Sequence, residues 1–358
     1  MKATETLHNL GQSLWLDNIT RDLLRSGTLK RYIDTLSITG LTSNPTIFDH
    51  AISKSTEYDH DIRAMTRSGV AREDLFFRLA IADLQQAADL FRPIHDRTAG
   101  VDGWVSLEVS PLLAYDTQQT VEAASSLHAA AARPNLFIKI PGTKEGVPAI
   151  EEATFRGVPI NVTLLFSREQ YIAAAEAYMR GLERRIAAGL SPDVRSVASL
   201  FVSRWDKATM DKLPDNLRDR LGIAIAESTY AAYRDLLKSE RYQRLGNCGA
   251  RTQRLLFAST GTKDPRASDT LYIGALAAPN TINTIPEETL AHFADHGEVG
   301  GVLPRDGARA GDTLSAIVKA GVDLDELAAD LQSEGARSFD ESWSELLKAI
   351  ETKSKALT

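Results

Sequence analysis

The sequence holds a single cysteine, Cys248, in 358 residues. One thiol closes no intrachain disulfide and is too few for a cysteine-built zinc site. Histidine is sparse as well, with seven residues. His292 and His296 have the i, i+4 spacing of a metal pair but lack the glutamate of an H-E-x-x-H motif, so no metal site is expected. An excess of basic charge is missing: 41 Lys+Arg stand against 48 Asp+Glu, a formal net charge of −7. That balance argues against a surface built to coat nucleic acid. No stretch approaches the roughly 18 consecutive apolar residues of a membrane span. The first residues, which include Glu5, His8 and Asn9, lack the apolar core of a secretory signal. Glycine-rich nucleotide fingerprints are missing too, since Gly297–Gly301 lacks the G-x-G-x-x-G order. The expectation from these absences is a cytoplasmic protein without a nucleic-acid or membrane partner.

What is present has the periodicity of alternating strands and helices. Eight short β-rich runs stand out: Ser13–Asp17, Gly40–Thr42 with its neighbours, Trp104–Val109, Leu136–Ile140, Pro159–Thr163, Val197–Val202, Leu255–Ser259 and Thr281–Ile285. Between them lie amphipathic stretches such as Arg72–Phe91, Asp116–Ala132 and Leu217–Leu237. Ser167 and Gln170 have the spacing of a capping box, and Gly189 marks the stop of that helix. Strands separated by helices pair in parallel, because a parallel pair needs a long crossover. Eight such units predict an α/β fold, a (β/α)8 TIM barrel with additional N- and C-terminal helices. We expect one domain over 1–358, with the barrel over 10–300 and a C-terminal helical appendage over 301–358. Leu324–Leu331 and Ser342–Ile350 are examples of its helices.

In such barrels the reacting groups come from the C-terminal ends of the strands. Those ends carry Asp17, Asn44, Glu108, Lys139, Asn161 with Thr163, Ser199 and Ser259. Lys139 is the sharpest of them. In Leu136-Phe137-Ile138-Lys139-Ile140 the two-residue period puts Phe137 and Lys139 on one face and the two isoleucines on the other. With the isoleucines against the helix layer, Lys139 points into the barrel. An enclosed lysine is costly as a cation, and a neutral amine is the nucleophile of Schiff-base chemistry. The competing reading is a structural ion pair. Asp17 has the competing reading of a helix cap near Thr20. Glu108 shares a strand face with Ser106, and a buried carboxylate there suits proton transfer. Arg204, together with the loop Ala258-Ser259-Thr260-Gly261-Thr262-Lys263, has a composition suited to holding a phosphate.

Taken together, these segments resemble the transaldolase family. The matching pieces are Thr42-Ser43-Asn44-Pro45-Thr46, Val105-Ser106-Leu107-Glu108-Val109, Ile138-Lys139-Ile140 and Asn161-Val162-Thr163-Leu164-Leu165-Phe166-Ser167. Ser199-Leu200-Phe201-Val202-Ser203-Arg204 and Ala258-Ser259 follow in family order. The resemblance implies a transferase that moves a dihydroxyacetone unit from a ketose phosphate to an aldose phosphate, with no cofactor. Lys139 would form the Schiff base, Asp17 would take the C4 hydroxyl proton, and Glu108 would move protons through a water held by Thr163. Asn44 and Asn161 would bind substrate hydroxyls, Ser199 and Phe201 would line the substrate site, and Arg204 and Ser259 would hold the phosphate. Many members carry an arginine where this chain has Gly261, which leaves Lys263 as the substitute cation. A fructose-6-phosphate aldolase that releases free dihydroxyacetone is the alternative. Such relatives typically carry Gln and Tyr in place of Glu108 and Phe201. Partners are limited to sugar phosphates, with a monomer or homodimer expected.

Overall fold

Eight parallel strands form the centre of the molecule in a computed structural model that describes residues 2–357. They are β1 (Ser13–Asp17), β2 (Ile38–Thr42), β3 (Val105–Glu108), β4 (Leu136–Pro141), β5 (Ile160–Leu165), β6 (Ser196–Phe201), β7 (Gln253–Ala258) and β8 (Ile282–Ile285). Their order is β2-β1-β8-β7-β6-β5-β4-β3. The two ends of that order meet: Gly103 N–H donates to Thr39 O at 2.9 Å and Leu41 N–H to Trp104 O at 3.0 Å. The sheet is therefore a closed barrel wrapped by helices, as the alternating pattern predicts. Closure explains Gly40. A Cβ there would fall 2.6 Å from Trp104 O and 2.7 Å from Trp15 Nε1, so only a glycine lets the seam shut.

Local signals set the helix ends. Asn44 accepts from Ile47 N–H at 3.0 Å and caps Pro45–Lys54, whose first residue is the proline favoured at that position. Ser167 and Gln170 form both halves of a capping box on Arg168–Ala187. That helix ends beside Gly189, which adopts φ +70°. The cap ahead of Arg21–Arg25 is Thr20, which accepts from Leu23 N–H at 3.0 Å. The helix-cap reading of Asp17 is thus overturned, and its carboxylate is left for the barrel mouth. The helix expected over Arg72–Phe91 continues to Arg97 through Pro93.

The C-terminal segment differs from expectation in one respect. Leu324–Leu331 and Ser342–Ile350 are parts of one continuous 34-residue helix, Leu324–Leu357. Its buried residues Ala328, Leu331, Gly335, Phe339, Trp343, Leu346 and Ile350 recur every three or four positions and form one stripe. The stripe packs on helices Pro45–Lys54, Asp59–Arg67 and Arg72–Arg97 and on the end of β5. Trp343 meets Phe76 edge to face at 5.0 Å between ring centroids. Ser342 shares a 2.7 Å hydrogen bond with Thr46. Gln332 Nε2 donates to Gly142 O at 3.0 Å and to Leu164 O at 2.9 Å, across the ends of β4 and β5. Leu164 has φ +59°, and the β5–β6 register breaks between Val162 and Leu165. Such a break re-aims side chains at a strand end. Buried apolar residues of the barrel, its helix layer and this C-terminal helix make one contiguous cluster.

Candidate active site

Register brings the first three groups together. Glu108 on β3 lies beside Lys139 on β4, and Lys139 lies beside Asn161 on β5. Neighbours in a parallel register point the same way, so all three face the barrel interior. Phe137, two residues before Lys139, stacks on Trp104 at 4.0 Å between ring centroids and fills the space beneath. Lys139 Nζ donates to Glu108 Oε2 at 2.9 Å and to Ser43 O at 3.0 Å, with both side chains almost fully buried. The expected inward lysine and the expected ion pair are thus one arrangement. Burial pushes the Glu108 carboxyl above its ordinary range, and Lys139 draws it part of the way back. Glu108 Oε1 and Thr163 Oγ1 are both buried without a hydrogen-bond partner within the protein. Each of these atoms would be satisfied by a small polar molecule, since an unpaired buried polar group is expensive.

Asp17 enters from β1. Thr42 Oγ1 donates to Asp17 Oδ1 at 2.8 Å and lies 2.6 Å from Thr284 Oγ1. Burial pushes the Asp17 carboxyl up, opposed by the Thr42 hydroxyl and then by the charges of Lys139 and Lys263. In its ionised form a carboxylate placed here can accept a proton from a bound hydroxyl.

Asp17, Asn44, Lys139, Thr163, Ser199, Phe201, Arg204, Ser259 and Lys263 line one cavity of about 150 Å³ at the C-terminal mouth of the barrel. Glu108 and Asn161 lie outside that lining. Asn161 is fully buried, donating to Ser106 Oγ at 3.1 Å and accepting from Ser199 Oγ at 2.7 Å. Both ends of its amide are engaged within the protein. Asn44 uses its oxygen as a helix cap, which leaves its amide nitrogen as the donor toward a ligand.

Cations gather at one side of the mouth. Arg204 lies over the Phe201 ring at 5.1 Å. Ser203 and Ser259 share a 3.0 Å hydrogen bond, and Ser203 N–H donates to Ser259 O at 3.0 Å. Burial, with Lys207 and Arg204 adding like charge, pulls Lys263 below its ordinary range. A Cβ built on Gly261 would lie 3.8 Å from Lys263 Nζ, so the ammonium stands next to where a side chain at 261 would project. Two cations with hydroxyls between them can bind a dianionic phosphate.

Comparison with known proteins matches the chain to one family. The family model described as Transaldolase/Fructose-6-phosphate aldolase matches residues 14–350. The chain belongs to that family. A Parafrankia protein named transaldolase is 43% identical over 98% of this chain and 97% of its own. One from Thiobacillus denitrificans is 43% identical over 98% of this chain and 100% of its own. Transaldolase 2 of Streptomyces coelicolor is 41% identical over 99% and 98%. As a member of the transaldolase/fructose-6-phosphate aldolase family, the chain has several site features that strand-end reasoning misses. Thr42 and Thr284 support Asp17, and Lys207 adds to the cation group. Phe339 reaches the cavity from the C-terminal helix, more than 50 positions after the last strand end. Thr42 sits in the T-S-N-P-T signature and could have been read there; no local signal marks Phe339. Among the described residues no helix is long and apolar enough to cross a membrane.

Proposed function

We propose that the chain is a transaldolase, moving a dihydroxyacetone unit from a ketose phosphate (fructose 6-phosphate or sedoheptulose 7-phosphate) to an aldose phosphate (erythrose 4-phosphate or glyceraldehyde 3-phosphate). The observation that carries this reading is Lys139 Nζ, buried and held 2.9 Å from Glu108, opening on a cavity that also carries Asp17 and two cations. The reaction starts when Lys139 passes a proton to Glu108 and the free amine adds to the C2 carbonyl of the ketose. Glu108, acting through a water shared with Thr163, protonates the C2 oxygen so that it leaves as water and an iminium forms. The iminium is an electron sink. When Asp17 takes the C4 hydroxyl proton, the C3–C4 bond breaks, its electrons flow toward nitrogen, and the aldose phosphate departs. The enamine left on Lys139 attacks the acceptor aldehyde at C3, Asp17 returns its proton to the new hydroxyl, and water at C2 releases the product.

Arg204, Ser259 and Lys263 hold the phosphate, with Lys263 in place of the arginine that many relatives carry at position 261. Asn44 and Ser199 orient the dihydroxyacetone hydroxyls, and Phe201 forms an apolar wall. Asn161 acts on these hydroxyls through Ser199, which it holds by a 2.7 Å hydrogen bond. On this reading the protein works in the cytoplasm as a monomer or homodimer, within a single domain.

Incubation with fructose 6-phosphate and borohydride is expected to leave a reduced three-carbon adduct on Lys139, located by mass spectrometry. Lys139→Met should remain folded and lose turnover by on the order of 10⁴-fold or more. A folded wild-type protein without adduct would sink the reading. Erythrose 4-phosphate separates the two family activities: a seven-carbon product marks the transferase, free dihydroxyacetone the aldolase.

A further inference from the structure

The C-terminal helix is tied to the catalytic segments by more than its apolar stripe. Gln332 bonds the carbonyls of Gly142 and Leu164, which follow Lys139 by three residues and Thr163 by one. Gly335, one turn on, comes so close that a Cβ there would lie 3.1 Å from Arg204 NH1 and 3.0 Å from Leu164 Cδ2. Ser342 bonds Thr46, two residues beyond Asn44. Phe339 stands between these ties, 5% exposed, with its ring on the catalytic cavity. The stripe residues Leu331, Leu346 and Ile350 are absent from that lining. Packing on neighbouring helices needs only an apolar stripe. Polar anchors at the ends of the strands carrying Lys139 and Thr163, and in the first turn of the helix that Asn44 caps, fix where along the mouth one ring sits.

We propose that Phe339 is a specificity-determining residue that directs the Lys139 enamine to the acceptor aldehyde instead of to water. This rests on the transaldolase reading above. The enamine has two fates. In transfer, C3 bonds to the aldehyde carbon and the aldehyde oxygen takes the proton held by Asp17. In loss, C3 takes a proton instead and the iminium re-forms. Water then adds at C2 and the C2–N bond breaks, giving free dihydroxyacetone and the amine at the net expense of one water. On the transaldolase reading, the water needed at C2 is the one that Glu108 and Thr163 would hold. Protonation at C3 by solvent requires water to enter the cavity, and Phe339 is a buried apolar side chain among its lining residues. Excluding water is a recognised way to suppress such a side reaction.

The test compares wild type, Phe339→Ala and Phe339→Leu with fructose 6-phosphate and limiting erythrose 4-phosphate. Free dihydroxyacetone and seven-carbon product are measured in the same samples. The ratio of released to transferred product is expected to rise about tenfold in the alanine variant and by less in the leucine variant. The borohydride adduct on Lys139 should form in all three. An unchanged ratio in the folded variants overturns the proposal, even where total turnover falls. If the alanine variant does not fold, the leucine variant decides by the same ratio. Absence of adduct in wild type would instead strike the underlying function, which keeps the two failures apart.

Discussion

Thr42 Oγ1 has one hydrogen to give, and it goes to Asp17 while Thr284 approaches from the other side. That donation favours the ionised carboxylate, and it offsets part of the upward push from burial. Asp17 must be ionised to accept the C4 hydroxyl proton, so its titration sets an acid limb in the kcat/KM profile. Replacing Thr42 by valine removes the donor and raises the Asp17 pKa further. The acid limb of Thr42→Val is therefore expected to move to higher pH, with activity at the plateau less affected. Unfolding measurements should show a loss of about 1–2 kcal/mol from the unpaired groups. A limb that stays in place while stability falls would reduce Thr42 to a packing role. Glu108 differs from Asp17 in its partner. It is paired directly with Lys139, so the two carboxyls sit in different settings and can serve different proton transfers.

At the scale of elements, Asp206 shows how a buried charge is used away from the mouth. Its carboxylate accepts from Leu221 N–H at 2.9 Å, Gly222 N–H at 3.1 Å and Tyr272 Oη at 2.8 Å. The first two bonds satisfy the amino end of helix Leu221–Lys238. Burial nevertheless pushes Asp206 up to about 6, from 3.8. The native protein then holds this proton to higher pH than the unfolded chain does. Its contribution is complete below about pH 4 and falls as pH rises through about 6. Asp206→Asn should remove that dependence, so wild-type Tm minus variant Tm is expected to decrease between about pH 4 and pH 6.5. A difference that stays flat across this interval would contradict a titrating Asp206. Elements of this kind were only partly readable from the chain. The strands were legible because apolar β-rich runs of the right length recur eight times between helices. Lys139 was legible because its neighbours alternate. The supports of Asp17 were not read, since threonines at strand ends look like ordinary turn polarity. The role of Phe339 depends on how one helix crosses the barrel, which periodicity along that helix does not encode. Asp206 and Tyr272 lie 66 positions apart, and only the fold joins them.

Across the whole molecule, the C-terminal helix shares its buried stripe with the core that surrounds the barrel. Ala328, Leu331, Ala336, Phe339, Trp343, Leu346 and Ile350 belong to the same cluster as Leu14, Ile138 and Leu256. Barrel and appendage are therefore expected to unfold together. Denaturant curves followed by tryptophan fluorescence and by far-ultraviolet circular dichroism should coincide. A helix that melts first would split them, because Trp343 reports its docking. The acidic balance of the chain is compatible with anionic substrates, because the cations that matter are local: Arg204, Lys207 and Lys263 at one side of the mouth.

The helix that carries Phe339 follows all eight strands in chain order, beginning 39 residues after β8 ends at Ile285. At roughly 5–20 residues per second of synthesis, it leaves the ribosome some seconds after the last strand. Until then the chain lacks the helix whose buried stripe belongs to the same core as the barrel, so completion of that core waits for the end of synthesis. Closing the core and bringing Phe339 to the cavity are then one event, placed last by the order of the chain.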